Sequence, residues 1–259
     1  MGRLTALSRS VAGSVALVTG SASGMGRATA RLLADEGAHV AVTDVGQDGV
    51  SAVVDEILAA GRSAAGWVMD VSDDAAVRWV TAEVARHWGR LDIVVNNAGF
   101  SRPAPIDADD YESRWAGMLD VLLTGQTRVI RAALPHLRQA PDPRIVNIAS
   151  TEAWGASKYL SPYTAAKHGV VGLTKSLAVE LGKEGITVNC VCPGPINTGI
   201  TADISEGDRQ VFARRRTALG RYGEPEEVAH ATLNFCLPAS RYMTGAVLAV
   251  DGGLLARNA

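Results

Sequence analysis

Tyr163 and Lys167 stand four residues apart in the stretch Ser161-Pro-Tyr-Thr-Ala-Ala-Lys-His168, and that spacing could do chemistry. Apolar residues follow at helical intervals (Val170, Leu173, Leu177, Val179, Leu181), so a helix is expected over 163–182. Pro162 suits its first turn, where a missing N–H costs nothing. Phenol and ammonium then share one face, one turn apart. A phenol titrates near ~10 and an ammonium near ~10.4. A fixed cation beside the phenol favours the phenolate, which makes Tyr163 a base near neutral pH. In isolation the pair reads equally well as an exposed aromatic beside a solvated charge. His168 projects away from Lys167 and reads as a packing or interface residue.

Positioning such a pair is the task of the elements around it. An apolar run over 14–19 ends at Gly20, and Gly20-Ser-Ala-Ser-Gly-Met-Gly26 leads at once into a helical pattern (Ala28, Ala30, Leu32, Leu33). A strand that passes through glycines into a helix N-terminus is a phosphate cradle, because backbone N–H groups can approach a pyrophosphate there. A second strand over 38–43 ends at Asp44, which can accept both hydroxyls of a ribose and repel a 2′-phosphate. No Arg or Lys adjoins it in sequence and Ser23 is neutral, so NAD is expected over NADP. The competing role for Asp44 is capping a helix over 47–60. Further strands are expected over 64–69, 91–95, 144–149, 185–191 and 246–250, with helices over 73–87 and 111–137. The alternation describes one α/β domain over 1–259: a Rossmann-like, doubly wound parallel sheet of about seven strands with helices on both faces. Residues 1–11 read as a loose tail. Gly20, Asp44, Asp70, Asn97, Ser150 and Pro193-Gly194 all fall at strand carboxyl ends, where such sheets bind ligands.

Bulk composition excludes other classes. The 259 residues are 47% hydrophobic with a net charge of −2, which gives no electrostatic case for nucleic acid or an anionic membrane. Cys190, Cys192 and Cys236 are the only cysteines; an odd count does not describe a disulfide framework, and the spacing is not that of a zinc site. No metal is expected. The run Val15–Val18 is too short for a signal peptide, and no window approaches the ~20 apolar residues of a membrane span. A soluble cytoplasmic protein is expected.

Taken together, the motifs resemble the short-chain dehydrogenase/reductase family from about residue 14 to 255. They are Thr19-Gly20…Gly24-Met25-Gly26, Asp70-Val71, Asn96-Asn97-Ala98-Gly99, Ser150, Tyr163…Lys167, Pro193-Gly194…Thr198 and Thr244-Gly245…Asp251-Gly252-Gly253. The resemblance implies hydride transfer between a secondary alcohol and a nicotinamide. Tyr163 would take the hydroxyl proton, Lys167 would depress the Tyr pKa and bind the nicotinamide ribose, and Ser150 would hydrogen-bond the substrate oxygen. It places the cofactor against Gly20, Ser21, Ser23, Gly24, Met25 and Gly26, with Asp44 and Val45 at the ribose and Asp70 and Val71 at the adenine. Asn97, Ala98 and Gly99 would pass under it, Pro193 and Gly194 would bind it, and Ile196 and Thr198 would reach its carboxamide or pyrophosphate. Glu152 and Trp154, beside Ser150, are the expected substrate contacts, with Trp154 as an apolar wall. About 198–222 would form a substrate lid, whose Val211, Phe212 and Leu219 give it a buried side. Arg214, Arg215 and Arg216 within it read as a solvated or interface face, or as a site for an acyl thioester carrier.

One position departs from the pattern: Leu122 stands where the family usually has an Asn that supports a water joining the Lys to solvent. The relay is expected to run through the Leu122 carbonyl, with Asp120 or Thr124 assisting, at modestly reduced rate. The expected activity is NAD-dependent oxidation of a cyclic or steroid-like alcohol. The alternatives are a 3-oxoacyl-thioester reductase and a non-catalytic nucleotide-binding protein. A homotetramer (or homodimer) built on the helices of residues 111–137 and 163–182 is implied by the resemblance alone.

Overall fold

This computed structural model describes residues 4–201 and 204–257. Residues 1–3 of the expected tail and 202–203 of the expected lid lie outside them. Seven parallel strands form the sheet: β1 (Val15–Thr19), β2 (His39–Asp44), β3 (Ser63–Val68), β4 (Ile93–Asn96), β5 (Arg144–Ile148), β6 (Thr187–Pro193) and β7 (Val247–Val250), in the order β3-β2-β1-β4-β5-β6-β7. Strands β1, β4, β5 and β6 are buried along their whole length. That is why their sequences are near-continuous apolar runs without polar alternation.

Helices cover both faces. On one side α1 (Gly24–Asp35), α2 (Gln47–Ala59) and α8 (Pro225–Cys236) bury residues such as Leu33, Ile57 and Phe235 against the sheet. On the other, α3 (Asp74–Trp88), α5 (Gly125–Leu137) and α6 (Ser161–Leu181) contribute Val80, Ile130 and Leu181. Local chemistry sets several ends. Asp73 caps α3 by accepting from the N–H groups of Ala75 and Ala76, and Gly89 closes it in the left-handed conformation. Glu224 and Glu227 form a reciprocal capping box at α8, with Pro225 in its first turn.

The expected helix over 111–137 is divided. Helix α4 (Tyr111–Leu119) passes through a five-residue π turn, Asp120–Thr124, before α5 begins. Strand β6 starts two residues later than expected, because Gly185 sits at φ 77° and ends the preceding turn. Helix α7 (Glu206–Arg216) occupies the lid segment, and its apolar side differs from expectation. Ala213 is the residue it buries, while Val211, Phe212 and, beyond the helix, Leu219 are 50%, 40% and 66% exposed. Eleven residues of short helix offer only one contact line to the body, and the small Ala213 takes it.

Candidate active site

Ser150 follows β5 directly, and helix α6 brings Tyr163 and Lys167 back over the end of that strand. Ser150 hydrogen-bonds the Tyr163 phenol, and its Oγ also accepts from the Glu152 N–H at 3.2 Å. Lys167 is 4% exposed and donates from Nζ to the Ile148 carbonyl at 2.9 Å, with the ammonium 5.5 Å from the Tyr163 ring centroid. Burial pushes the phenol up to about 12; the Ser150 hydrogen bond opposes this and the Glu152 carboxylate reinforces it. Burial also lowers the Lys167 ammonium to about 8. The expected depression of Tyr163 by Lys167 is therefore not what this arrangement shows: desolvation dominates, and the ammonium is directed at a carbonyl behind the ring.

Glu152 and Trp154 lie in the turn that follows Ser150. The Glu152 carboxylate accepts from Ser157 N (2.9 Å), Ser157 Oγ (2.6 Å) and Thr164 Oγ1 (2.8 Å), which ties the loop after β5 to α6. Trp154 is 46% exposed. His168 is exposed, its Nδ1 3.0 Å from the Thr164 carbonyl, and turned from Lys167 as the spacing required.

Beside the triad a groove of about 580 Å³ runs across the strand ends. Its walls include Gly20, Ser23, Gly24 and Met25 from the glycine turn, Asp44 and Val45 after β2, and Asp70 and Val71 after β3. Asn97, Ala98 and Gly99 form its floor on the β4 side, and Thr198 reaches it from the far side. Asp44 does not cap α2, whose first residue is preceded by Gly46; its two oxygens accept from Ala22 N (3.0 Å) and Val45 N (2.7 Å). Ser21 is fully buried, and its hydroxyl lies between the Val18 carbonyl and the backbone of Thr43, so its side chain joins β1 to β2. Pro193, Gly194 and Ile196 are not among the residues that line this groove, and Gly194 packs on Asp251 so closely that a Cβ would stand 2.7 Å from its Cα.

A family model described as enoyl-(acyl carrier protein) reductase matches residues 20–255. The chain is 42% identical over 92% of its length, and 95% of the relative's, to the (2S)-[(R)-hydroxy(phenyl)methyl]succinyl-CoA dehydrogenase subunit BbsD of Thauera aromatica. The chain belongs to the short-chain dehydrogenase/reductase family. Cis-4-hydroxycyclohexanecarboxylate dehydrogenase of Sinomonas cyclohexanicum is 40% identical over 93% of this chain and 96% of its own. The crystal structure of a dehydrogenase/reductase from Sinorhizobium meliloti 1021 superposes with a TM-score of 0.90 at 37% identity, covering 97% and 98% of the two chains. As a short-chain dehydrogenase/reductase, this protein is an oxidoreductase acting on a CH–OH or keto group with a nicotinamide cofactor.

The groove fits that cofactor. Gly20 sits at φ 63°, and a Cβ there would stand 2.6 Å from the Ala98 Cα. At Gly26 a Cβ would intrude on the Gly20 carbonyl oxygen and on the Asn97 amide. That amide donates to the Thr19 and Gly20 carbonyls, both at 2.9 Å, and pins the glycine turn to β4. Gly26→Ala is therefore expected to displace the turn and weaken NADH binding by about 100-fold. Fluorescence titration with NADH checks this, and unchanged affinity would refute the cradle.

The sequence missed Met69, Phe100, Arg102, Val121 and Gly199, which also line the groove. Arg102 stacks over the Phe100 ring at 5.2 Å. The nearest signal was its position three residues past Gly99, but nothing local shows which way the loop turns. With Leu122 in place of the usual Asn, the helix is still distorted at this point. The π turn is closed by the Gly125 N–H to the Asp120 carbonyl, and Leu122 is fully buried with Met118 and Ala166 against Tyr163. Asp120 forms an ion pair with Arg128 at 2.8 Å, so its carboxylate is engaged away from any relay.

Proposed function

We propose that this protein oxidises a cyclic or steroid-like secondary alcohol to the ketone with NAD, and reduces the ketone in reverse. Asp44 in the groove whose Phe100 packs on the same Met118, Leu122 and Ala166 cluster as Tyr163 is the observation that carries the reading. In oxidation, the Tyr163 phenolate takes the hydroxyl proton while Ser150 holds the substrate oxygen as charge develops on it. In reduction the neutral phenol donates the proton. Lys167 holds the ribose and keeps a positive charge behind the ring. Bound nicotinamide supplies the hydride acceptor. The ring-bearing alcohol is supported by the hydroxycyclohexanecarboxylate dehydrogenase among the relatives.

NADH formation from NAD across cyclic, steroidal and 3-hydroxyacyl alcohols tests the reading, with NADP in parallel. Turnover only with NADP on an acyl thioester would replace it with the 3-oxoacyl-thioester alternative. That alternative is favoured by the family description and by Arg214, Arg215 and Arg216, which are all exposed on α7. Asp44→Ala is expected to lower kcat/KM for NAD by about 10-fold to 100-fold, since each lost hydrogen bond to a charged group is worth ~1.5–3 kcal/mol. It should also raise activity with NADP, because the carboxylate that would repel a 2′-phosphate is gone. Initial rates with both cofactors measure this, and an unchanged NAD/NADP ratio would remove Asp44 as the selector.

No helix among the described residues is long and apolar enough to cross a membrane, in keeping with the cytoplasmic location we propose. Trp115 on α4 and Val179 on α6 are 36% and 84% exposed, which supports a homotetramer (or homodimer) formed on those helices; light scattering tests it.

A further inference from the structure

Behind Lys167 the core holds a row of amides. Asn96 on β4 lies in register with Asn147 on β5 and donates to its Oδ1 at 2.9 Å. Asn147 in turn donates to Thr174 Oγ1 on α6 at 3.0 Å. Gln126, just past the π turn, is 3% exposed and reaches the Ile148 carbonyl from Nε2 at 3.4 Å. That oxygen is the one Lys167 Nζ occupies at 2.9 Å. Two acceptors in this row, Gln126 Oε1 and Asn96 Oδ1, are buried with no hydrogen-bond partner.

An ammonium carries three N–H donors, and the Ile148 carbonyl takes one of Lys167's. Buried polar groups are nearly always paired, through ordered water where protein atoms do not reach. We propose that Gln126 is a positioning residue for Lys167: its Nε2 shares the Ile148 carbonyl with the ammonium, and its Oε1 serves one of the two remaining N–H groups through a buried water, leaving the other for the ribose. The carbonyl has two lone pairs, so both donors fit on it. The other titratable groups facing Lys167 are Tyr163 on its own helix and Cys190 and Cys192 on β6, whose sulfurs are 3.8 Å apart. Asp120 on the π turn is paired with Arg128. Cys190, Cys192 and the Ile148 carbonyl favour the charged form against burial, and the acceptor at Gln126 adds to them.

The chain has four lysines, Lys158, Lys167, Lys175 and Lys183, so carbon-13 labelling at Cε gives four NMR resonances. A Lys167→Met spectrum identifies the one that matters, which is expected to titrate at about 8. Gln126→Met keeps the volume and removes the acceptor, and should lower that midpoint by about half a pH unit or more. Gln126→Glu places an anion in the same reach and should raise it. Opposite shifts with the fold retained establish the role. An unmoved midpoint in Gln126→Met, or shifts of the same sign in both variants, would show that Gln126 merely packs and would overturn the proposal. The titration uses neither substrate nor cofactor, so failure of the proposed alcohol oxidation would not disturb it. In an active enzyme, Gln126→Met should also move the pH profile of oxidation to more alkaline values without changing NADH affinity.

Discussion

Tyr163→Phe is expected to reduce kcat/KM by about 1,000-fold in both directions, the loss that follows removal of a positioned general acid–base. The variant loses one oxygen. Its ring keeps its packing with Met118, Leu122 and Ala166, so the fold and NADH binding should stay within about twofold of the parent. The pH dependence has a definite sign. With the phenol raised to about 12 by burial, the neutral form needed for reduction dominates through neutral pH. The phenolate needed for oxidation is scarce there, so oxidation should accelerate as pH rises from about 7 to 10 while reduction does not. Initial rates in both directions across that range decide the matter. A Phe variant that keeps a tenth of the activity would end the role given to Tyr163.

Lys167→Met should act on activity and stability in opposite directions. The ammonium lies in a site that lowers its pKa from 10.5 to about 8. For a depressed group the linked stability is present above the unfolded value and is lost as pH falls through the folded one. At pH 7 the native state therefore carries the cost of a buried charge, discounted by the bond to the Ile148 carbonyl. Replacing the charge with an apolar chain of similar length should abolish turnover and stabilise the fold by about 1–3 kcal/mol, or a rise in melting temperature of roughly 2–8 °C. The gain should shrink as pH approaches ~10.4. Calorimetry at pH 7 and pH 10 measures it. A variant less stable than the parent at pH 7 would show that the Ile148 bond and its neighbours more than offset the burial cost.

Both expectations share a cause: the catalytic side chains sit where the fold would be better served by apolar ones. Glu152 illustrates the compensation. Its carboxylate fastens the loop after β5 to Thr164 on α6, holding Ser150 and Tyr163 together at the expense of a like-sign effect on the phenol.

The sequence by itself determined the parallel sheet, the glycine turn and Asp44 at its strand end. These follow from period, spacing and residue type, all of which act over one or two turns of chain, whereas the grouping of Ser150 with Tyr163 and Lys167 came from the resemblance to the family. Only the tertiary structure decided which polar groups were already engaged. Ser21 faces inward because β2 passes beside it, and Leu122 keeps its π turn because Gly125 closes onto Asp120. Arg102 enters the cofactor groove through the path of its loop, and Gln126 meets Lys167 on one carbonyl because β5 lies between their helices. Such pairings join residues far apart in sequence, and burial sets their strength. Burial belongs to the packed fold, so the sequence placed the phenol and the ammonium on one helical face but could not tell that desolvation would outweigh their attraction.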